Sequence, residues 1–419
     1  MAAFAGLDVG TTSSKAVVYA EDGEELGTGR ATTTWNVTPR GTEIDADALL
    51  RSAFDALSAA AEAAGVPVRA VGITSMGESG VLTDTNERPL TPVIAWHDDR
   101  DGAEVADLAS ALGAEAFGGV AGKPLRGQFA LTKHRWLLDH EPASRAATLR
   151  FDVGGWVVRG LGGEIAIELS LAGRTGWLDV ATCDWWDDAL AWSGARRELM
   201  PPLVQAGTPV GTVTSETVSP LLRGAVLVLA GHDHQASALG ARAVGSGDEL
   251  DSSGTAEALV RTVPHVPNRA DVARLAAVGI TTDPSIRPGY WSLLGGTEGG
   301  LAQKRALEKL GVGPDGLTVL DADAEYASDG PGAVWRSVVA AAADQALALH
   351  RAMDDVVGPA TRVIVTGGWR HSAEVMRAKA ARFDHLEVSA VEEAGALGAA
   401  VLAARATGAI GPDDYLAAR

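Results

Sequence analysis

The stretch Phe4-Ala-Gly-Leu-Asp-Val-Gly-Thr-Thr-Ser-Ser-Lys-Ala-Val-Val-Tyr19 decides how the rest of the chain is read. Two apolar runs flank a Gly/Thr/Ser turn, the pattern of a β-hairpin. Successive backbone N–H groups and hydroxyls in such a turn converge on an anion, and glycine permits the close approach that a phosphate needs. Asp8 then stands beside the anion. A carboxylate repels phosphate directly, so the reasonable intermediary is a Mg²⁺, bridged by water. Lys15 adds a positive charge. Taken alone, the segment also fits an ordinary turn. A similar arrangement returns at Glu249-Leu-Asp-Ser-Ser-Gly-Thr-Ala-Glu-Ala-Leu-Val260, where an Asp and a Gly-Thr turn again separate two strand-like runs, suggesting duplicated halves.

Outward from the hairpins, helical patterns at Ala46 to Ala64 and Ala103 to Leu112 alternate with strand patterns at Ala70 to Ser75 and Pro92 to Trp96. The later part carries a long helical pattern from Val334 to Met353, a strand Arg362-Val-Ile-Val-Thr366 and a closing helix from Glu392 to Ala404. Such alternation predicts an α/β fold. A polar, Pro-containing connection at Ser219-Pro220 places the expected boundary there, giving halves of 1–222 and 223–419.

Composition narrows the function classes. A length of 419 residues is enough for two or three domains with a cleft between them. The 54 Asp and Glu outnumber 35 Lys and Arg, a net charge of −19 that would repel phosphate backbones and anionic lipid. Nucleic acid and membrane are therefore not expected partners. The opening Met1-Ala-Ala-Phe-Ala-Gly-Leu-Asp lacks a basic start followed by an apolar run, and the single cysteine, Cys183, cannot form an internal disulfide. Both features lead to the expectation of a cytoplasmic protein.

Neither a P-loop nor a Rossmann fingerprint occurs, so a different nucleotide fold is required. Asp233 ends an apolar strand, Ala225 to Ala230 with its extension, and precedes a helical run from His234 to Ala243. That position suits a general base delivered into a cleft, or a helix N-cap. His232 and His234 flank it, but alternate positions on a helix do not converge on one ion, and zinc is rejected. Gly77 and Glu78 follow one strand, and Trp96, His97 and Asp98 follow another, where rigid acceptors and an apolar wall would suit a polyol. Trp96 as core and Asp98 paired with Arg100 are the competing readings. Tryptophans 156, 177, 185, 186 and 192 read as lid or core packing before they read as a sugar platform.

Two phosphate hairpins, one per half, followed by a strand and Thr366-Gly-Gly368, resemble the actin-like ATPase superfold. Gly6-Leu-Asp-Val-Gly-Thr-Thr12, Gly72-Ile-Thr-Ser-Met-Gly-Glu78, Trp96-His-Asp98 with Arg100, Gly231-His-Asp233, Ser253-Gly-Thr255, Thr366-Gly-Gly368 and Glu393-Ala-Gly-Ala-Leu-Gly-Ala-Ala400 together resemble the FGGY family of carbohydrate kinases. The resemblance implies two actin-like (ribonuclease H-like) α/β ATPase domains closing on ATP, Mg²⁺ and a small sugar or polyol. It assigns Asp8, Thr11, Thr12, Lys15, Gly254 and Thr255 to the phosphates, Asp8 and Asp233 to the metal side, and Gly299, Gly367 and Gly368 to the nucleoside. Asp233 becomes the base, and Gly77, Glu78, Trp96, His97, Asp98 and Asp233 become substrate contacts. A ketopentose such as xylulose is the nearest substrate, although Glu78 stands where xylulokinases usually carry a His, which leaves glycerol, erythritol or another polyol open. A homodimer is compatible with the resemblance, and a noncatalytic actin-like nucleotide or sugar sensor is the competing class. Two departures from the pattern stand out: His134 in Lys133-His-Arg-Trp136, and a compact second half whose signature survives chiefly as Glu298-Gly-Gly300.

Overall fold

In the computed structural model, residues 2–416 are described, with the exception of Thr255. The expected hairpin forms: Ala3–Val9 pairs antiparallel with Ser13–Ala20 and sets Asp8 opposite Lys15. On its other side Ala3–Val9 runs parallel to Ala70–Ser75, all of whose residues are buried. Strands buried on both faces read as continuous apolar runs, which is why this one lacks alternation. The complete sheet has six strands in the order Pro209–Thr212, Val226–His232, Ala70–Ser75, Ala3–Val9, Ser13–Ala20 and Glu25–Thr32.

A second six-stranded sheet repeats the scheme, in the order Ile280–Pro284, Trp291–Thr297, Glu257–Val263, Asp248–Ser253, Arg362–Thr366 and Leu386–Val388. Asp248–Ser253 again has its hairpin partner on one side and a parallel strand, Arg362–Thr366, on the other. The duplication read from the two hairpins is thus a duplication of sheet topology.

The expected division at 222/223 is corrected by strand pairing. Val226–His232 runs parallel to Ala70–Ser75 and belongs to the first sheet. The helix Ala394–Ala406, from the other end of the chain, also packs on that sheet. A Cβ on Gly6 would lie 1.7 Å from the Ala396 carbonyl oxygen, and one on Gly72 would lie 1.9 Å from that of Ala399. Helix and sheet therefore meet backbone to backbone, a contact only glycine permits. The first lobe is closed by a helix that sequence order assigns to the second.

Ala46–Ala64 covers the opposite face of the first sheet. Asp45 caps it by accepting from the Ala48 amide, and Gly65 ends it at φ 66°. The tryptophans resolve as packing: Trp136, Trp177 and Trp185 are buried in one apolar cluster with Phe117, Phe129 and Leu131, and Trp156 lies in the core of the first lobe. Among the described residues no helix is long and apolar enough to cross a membrane.

Candidate active site

The chemistry-bearing residues gather where the hairpin turns and parallel strand ends of the two lobes face each other. At the first turn the backbone is held from three sides. Gly10 N donates to Ser13 O at 3.2 Å, Thr33 Oγ1 to Gly10 O at 3.2 Å, and Trp35 Nε1 to Thr11 O at 2.7 Å. Trp96 Nε1 donates to the Thr11 hydroxyl at 2.8 Å, so the proposed sugar wall and the phosphate turn are physically joined. Lys133 Nζ supports Trp96 from behind through its carbonyl at 3.3 Å. Thr12 is exposed at the turn, and Lys15 bonds Glu393 Oε2 at 2.9 Å rather than standing alone.

Asp8 is half-buried, and its Oδ1, which is out of water, has no hydrogen-bond partner among the described residues. Burial, then the neighbouring charge of Asp233, push its carboxyl up to about 7, against the pull of Lys15. Gly395 leaves room for it, since a Cβ there would lie 2.7 Å from Asp8 Oδ2.

Asp233 opens the helix Asp233–Gly240 directly after the strand Val226–His232. The strand bulges between Leu229 and Gly231, and Gly231 takes φ 85°. A side chain there would meet Ile286 Cγ2 at 2.5 Å and Ser170 Oγ at 2.6 Å, so the turn that aims Asp233 demands glycine. Thr74 Oγ1 anchors the Gly231 carbonyl at 2.7 Å, and the His232 amide donates to Ser170 Oγ at 2.9 Å. Burial pushes the Asp233 carboxyl up to about 7; the His234 amide, 2.6 Å from Oδ1, works the other way, and Glu78 adds to the rise. Burial and Arg174 hold His232 well below the usual imidazole range, so the ring beside Asp233 is neutral. His134, the departure noted above, is likewise pushed down to about 3 by burial and packs edge-on to Trp177.

Two carboxylates near enough for the charge of Asp233 to raise Asp8, one of them with an orphaned oxygen, form a donor set suited to a hard divalent cation. Among the described residues no group of three or more His, Cys, Asp and Glu side chains forms a metal site, so any ion here would draw its remaining ligands from phosphate and water.

The substrate side differs from expectation in detail. Glu78 sits at φ 66°, a strained backbone for a residue with a side chain. Its Oε1 accepts from Arg174 Nε at 2.9 Å and from Gln128 Nε2 at 2.9 Å. Arg174 continues across the cleft to Thr281 Oγ1 at 2.7 Å and Asp283 Oδ2 at 3.2 Å, and the buried Lys123 bonds Asp283 Oδ1 at 2.6 Å. Burial opposes the Arg174 charge, but Glu78 and Asp283 more than compensate and hold it firmly protonated. Arg174, Gln128 and Lys123 were missed from the sequence; nothing in their spacing links residues on separate elements. Gly77 is covered by the Arg174 stem, since a Cβ would lie 2.8 Å from Arg174 Cγ, so it admits this arginine instead of presenting a substrate contact. Asp98 is likewise corrected. Its Oδ1 accepts from Arg100 N at 3.0 Å and Nε at 2.9 Å, and its Oδ2 from Arg100 Nη2 at 3.1 Å and the Thr42 amide. The pairing reading holds, and this carboxylate pins the Gly41–Ile44 strand. His97 is exposed beside Trp96, at 5.3 Å between ring centroids.

In the second lobe Gly367, at φ 84°, lies against the second hairpin, where a Cβ would come 2.4 Å from Ser253 O and 3.1 Å from Gly254 N. Gly368 is exposed, and nothing lies within 4 Å of the position of its Cβ. Gly299 begins the helix Gly299–Leu310, its amide 3.1 Å from Thr297 Oγ1. Thr255 lies outside the described residues. Asp251 occupies the place in the second hairpin that Asp8 holds in the first, but Lys379 bridges it to Glu257. The duplicated aspartate is thereby paired with a buried lysine, whereas Lys15, opposite Asp8 in the first hairpin, bonds Glu393.

A family model, "FGGY family of carbohydrate kinases, N-terminal domain", matches residues 3–240. The chain is 32% identical over 288 residues to a glycerol kinase of Aromatoleum aromaticum, covering 65% of this chain and 57% of that protein. It is 31% identical over 300 residues to an autoinducer-2 kinase of an Enterobacter species, covering 68% and 54%. The matches thus span about half the length of these curated relatives. Among solved structures, the xylulose kinase of Lactobacillus acidophilus superimposes with a TM-score of 0.87 at 18% identity, covering 100% of this chain and 91% of that one. The Plasmodium falciparum glycerol kinase with ADP gives 0.88 at 18% identity, covering 99% and 91%. At these identities the likeness is one of fold: two actin-like α/β domains.

Proposed function

The chain belongs to the FGGY family of carbohydrate kinases, and from that premise we propose that it transfers the γ-phosphoryl group of ATP, with Mg²⁺, to a hydroxyl of a small sugar or polyol. The observation that carries this reading is the pair Asp8 and Asp233, both half-buried and both raised to about 7, at the ends of the two strands that flank Ala70–Ser75 in the first sheet. A general base that works near neutral pH needs such a pKa. Asp233 takes the proton of the acceptor hydroxyl as the phosphoryl group arrives. Asp8, with its orphaned Oδ1, serves the metal side, and the amides and hydroxyls of Gly10 to Thr12 and of the Gly254 turn receive the phosphates. When bound, Mg²⁺ supplies charge neutralisation on the transferring group. Gly368 and its open surface receive the nucleoside, with Gly367 packing the turn against the second hairpin.

Glu78, fixed by Arg174 and Gln128, orients acceptor hydroxyls, and Trp96 provides the apolar wall beside Thr11. A ketopentose such as xylulose and a short polyol both suit this set. The glycerol kinase among the relatives gives the polyol separate support. The experiment is substrate-dependent ADP release over a panel of ketoses, aldoses and polyols with MgATP. Turnover on one short ketose or polyol well above the rest is the expected result; no substrate-dependent release on any member sinks the proposal.

A further inference from the structure

A narrow cavity of about 20 Å³ lies between the helix Ala130–His140 and the paired strands Gly80–Thr83 and Leu149–Asp152. It holds one occupant of the size of a water molecule or a halide, and sulfate, phosphate and organic anions are too large for it. Arg150 and His134 both line it, and both residues are more than nine-tenths buried. Gly80 makes the room for this arginine, since a Cβ there would lie 2.7 Å from Arg150 Cζ.

Polar groups buried in a folded protein are hydrogen-bonded, and buried charges are paired. Neither rule is met here by the protein alone. A guanidinium has five N–H donors. That of Arg150 places one, on Nη2, at 3.3 Å from the Glu78 carbonyl oxygen and makes no other hydrogen bond among the described residues. The Trp177 ring, 5.1 Å from Cζ, gives it an aromatic face but no counter-ion. No carboxylate of the described residues comes within ion-pair distance of it. Burial pushes Arg150 down to about 10, outweighing the help of Asp152 from farther off. The other charges nearby are engaged elsewhere. Glu78 Oε1 accepts from Arg174 and Gln128, and Lys133 Nζ donates to the Gly127 and Trp96 carbonyls with Asp101 Oδ1 at 3.7 Å. Neither ring nitrogen of His134 has a partner among the described residues. Burial, then the Arg150 charge, keep that ring neutral, so it offers one N–H donor.

We propose that this cavity is a halide site, filled by a chloride ion that accepts hydrogen bonds from the Arg150 guanidinium and the His134 ring. Water would satisfy the donors but leave the buried charge of Arg150 without a counter-ion, and a chloride does both. Through the Arg150 bond to its carbonyl, the site is joined to Glu78, the residue held at φ 66° on the substrate side. Nothing in this assignment depends on the kinase reaction, so it can fail or hold independently of it.

The test begins with the full wild-type chain crystallised with sodium bromide as the halide. Anomalous scattering should show one bromide between Arg150 and His134, and a cavity holding only water overturns the proposal. In solution, sodium chloride exchanged for sodium glutamate at constant ionic strength should raise the thermal midpoint by a few degrees, saturating at millimolar concentration. Arg150→Met keeps the apolar stem, removes the charge and should abolish the saturable rise, while general salt effects are common to both proteins and cancel in the comparison. His134→Phe keeps the guanidinium and the ring packed on Trp177, and should weaken the halide response severalfold; together with the bromide measurement it keeps the proposal testable if Arg150→Met does not fold. Thermal curves that superimpose in chloride and glutamate overturn the proposal, as does a saturable rise that survives Arg150→Met in full.

Discussion

Replacing Asp233 by Asn tests the catalytic assignment from two directions at once. The substitution keeps volume and the acceptor oxygen that receives the His234 amide at 2.6 Å, so a helix-capping role would survive it. A general base would not. General-base catalysis contributes about 10² to 10⁴-fold, or roughly 3 to 5 kcal/mol of barrier, and turnover should fall by that order. Stability should move the other way. The carboxyl is raised from 3.8 to about 7 in the folded protein, so the fold binds its proton more tightly than the unfolded chain does. Stability from this group is present in full below pH 4 and is lost as pH rises through 7, leaving the ionised form disfavoured by up to about 4 kcal/mol at pH 8. Asn carries no charge to desolvate. The variant should therefore match or exceed the wild type in stability at pH 8, with the gain shrinking as pH falls toward 4. Steady-state ADP release and urea unfolding at pH 8 and pH 5 make the measurement. More than about a tenth of wild-type turnover, a barrier change of only about 1.4 kcal/mol, would refute the base. Loss of stability at pH 8 would refute the electrostatic argument.

Turnover per bound substrate in the wild type should fall about tenfold for each pH unit below about 7, as Asp233 takes up its proton; a profile flat down to pH 5 contradicts the assignment. Asp8→Ala should weaken Mg²⁺-dependent ADP release far more than sugar affinity by calorimetry, because its unbonded Oδ1 is assigned to the metal side. Gly368→Val should raise the Michaelis constant for ATP strongly in a normally folded protein, since no protein atom lies within 4 Å of its Cβ position and only a ligand can collide with it. Gly6→Ala should cost about 3 kcal/mol or more in urea unfolding, because its methyl would lie 1.7 Å from the Ala396 carbonyl oxygen and neither backbone can yield.

Local features were legible where one segment forms the whole unit. The hairpin at Ala3–Val9 and Ser13–Ala20, the helix Ala46–Ala64 and the strands Ala70–Ser75 and Arg362–Thr366 lie at the residues that their patterns indicate. Boundaries slipped where context rules. The strand expected over Pro92 to Trp96 keeps only Val93–Ile94, and the strand before Asp233 continues to His232 because its parallel neighbour reaches Ser75. Asp8 lies near the end of the strand Ala3–Val9 and Asp233 directly follows Val226–His232, positions that their motifs indicated. Motif reading misjudged Asp98 because a carboxylate two residues from an arginine looks the same whether it meets that arginine or a ligand, and only the Thr42 amide and Arg100 guanidinium, both within bonding reach, decide between them.

The sequence by itself determined the duplicated hairpins and the α/β class, because hydrogen bonding and burial periodicity act over a few neighbouring residues. Tertiary structure decided what depends on distance across the fold. It assigned Val226–His232 and Ala394–Ala406 to the first lobe through backbone contacts at Gly6 and Gly72. It joined Glu78, Arg174 and Asp283, from three separate elements, into one buried ion network. It also distinguished Asp8 from Asp251, identical in local sequence setting, because Lys379 reaches only the second. Charge and burial at a site are sums over whatever the fold brings near, and no stretch of chain encodes that sum locally.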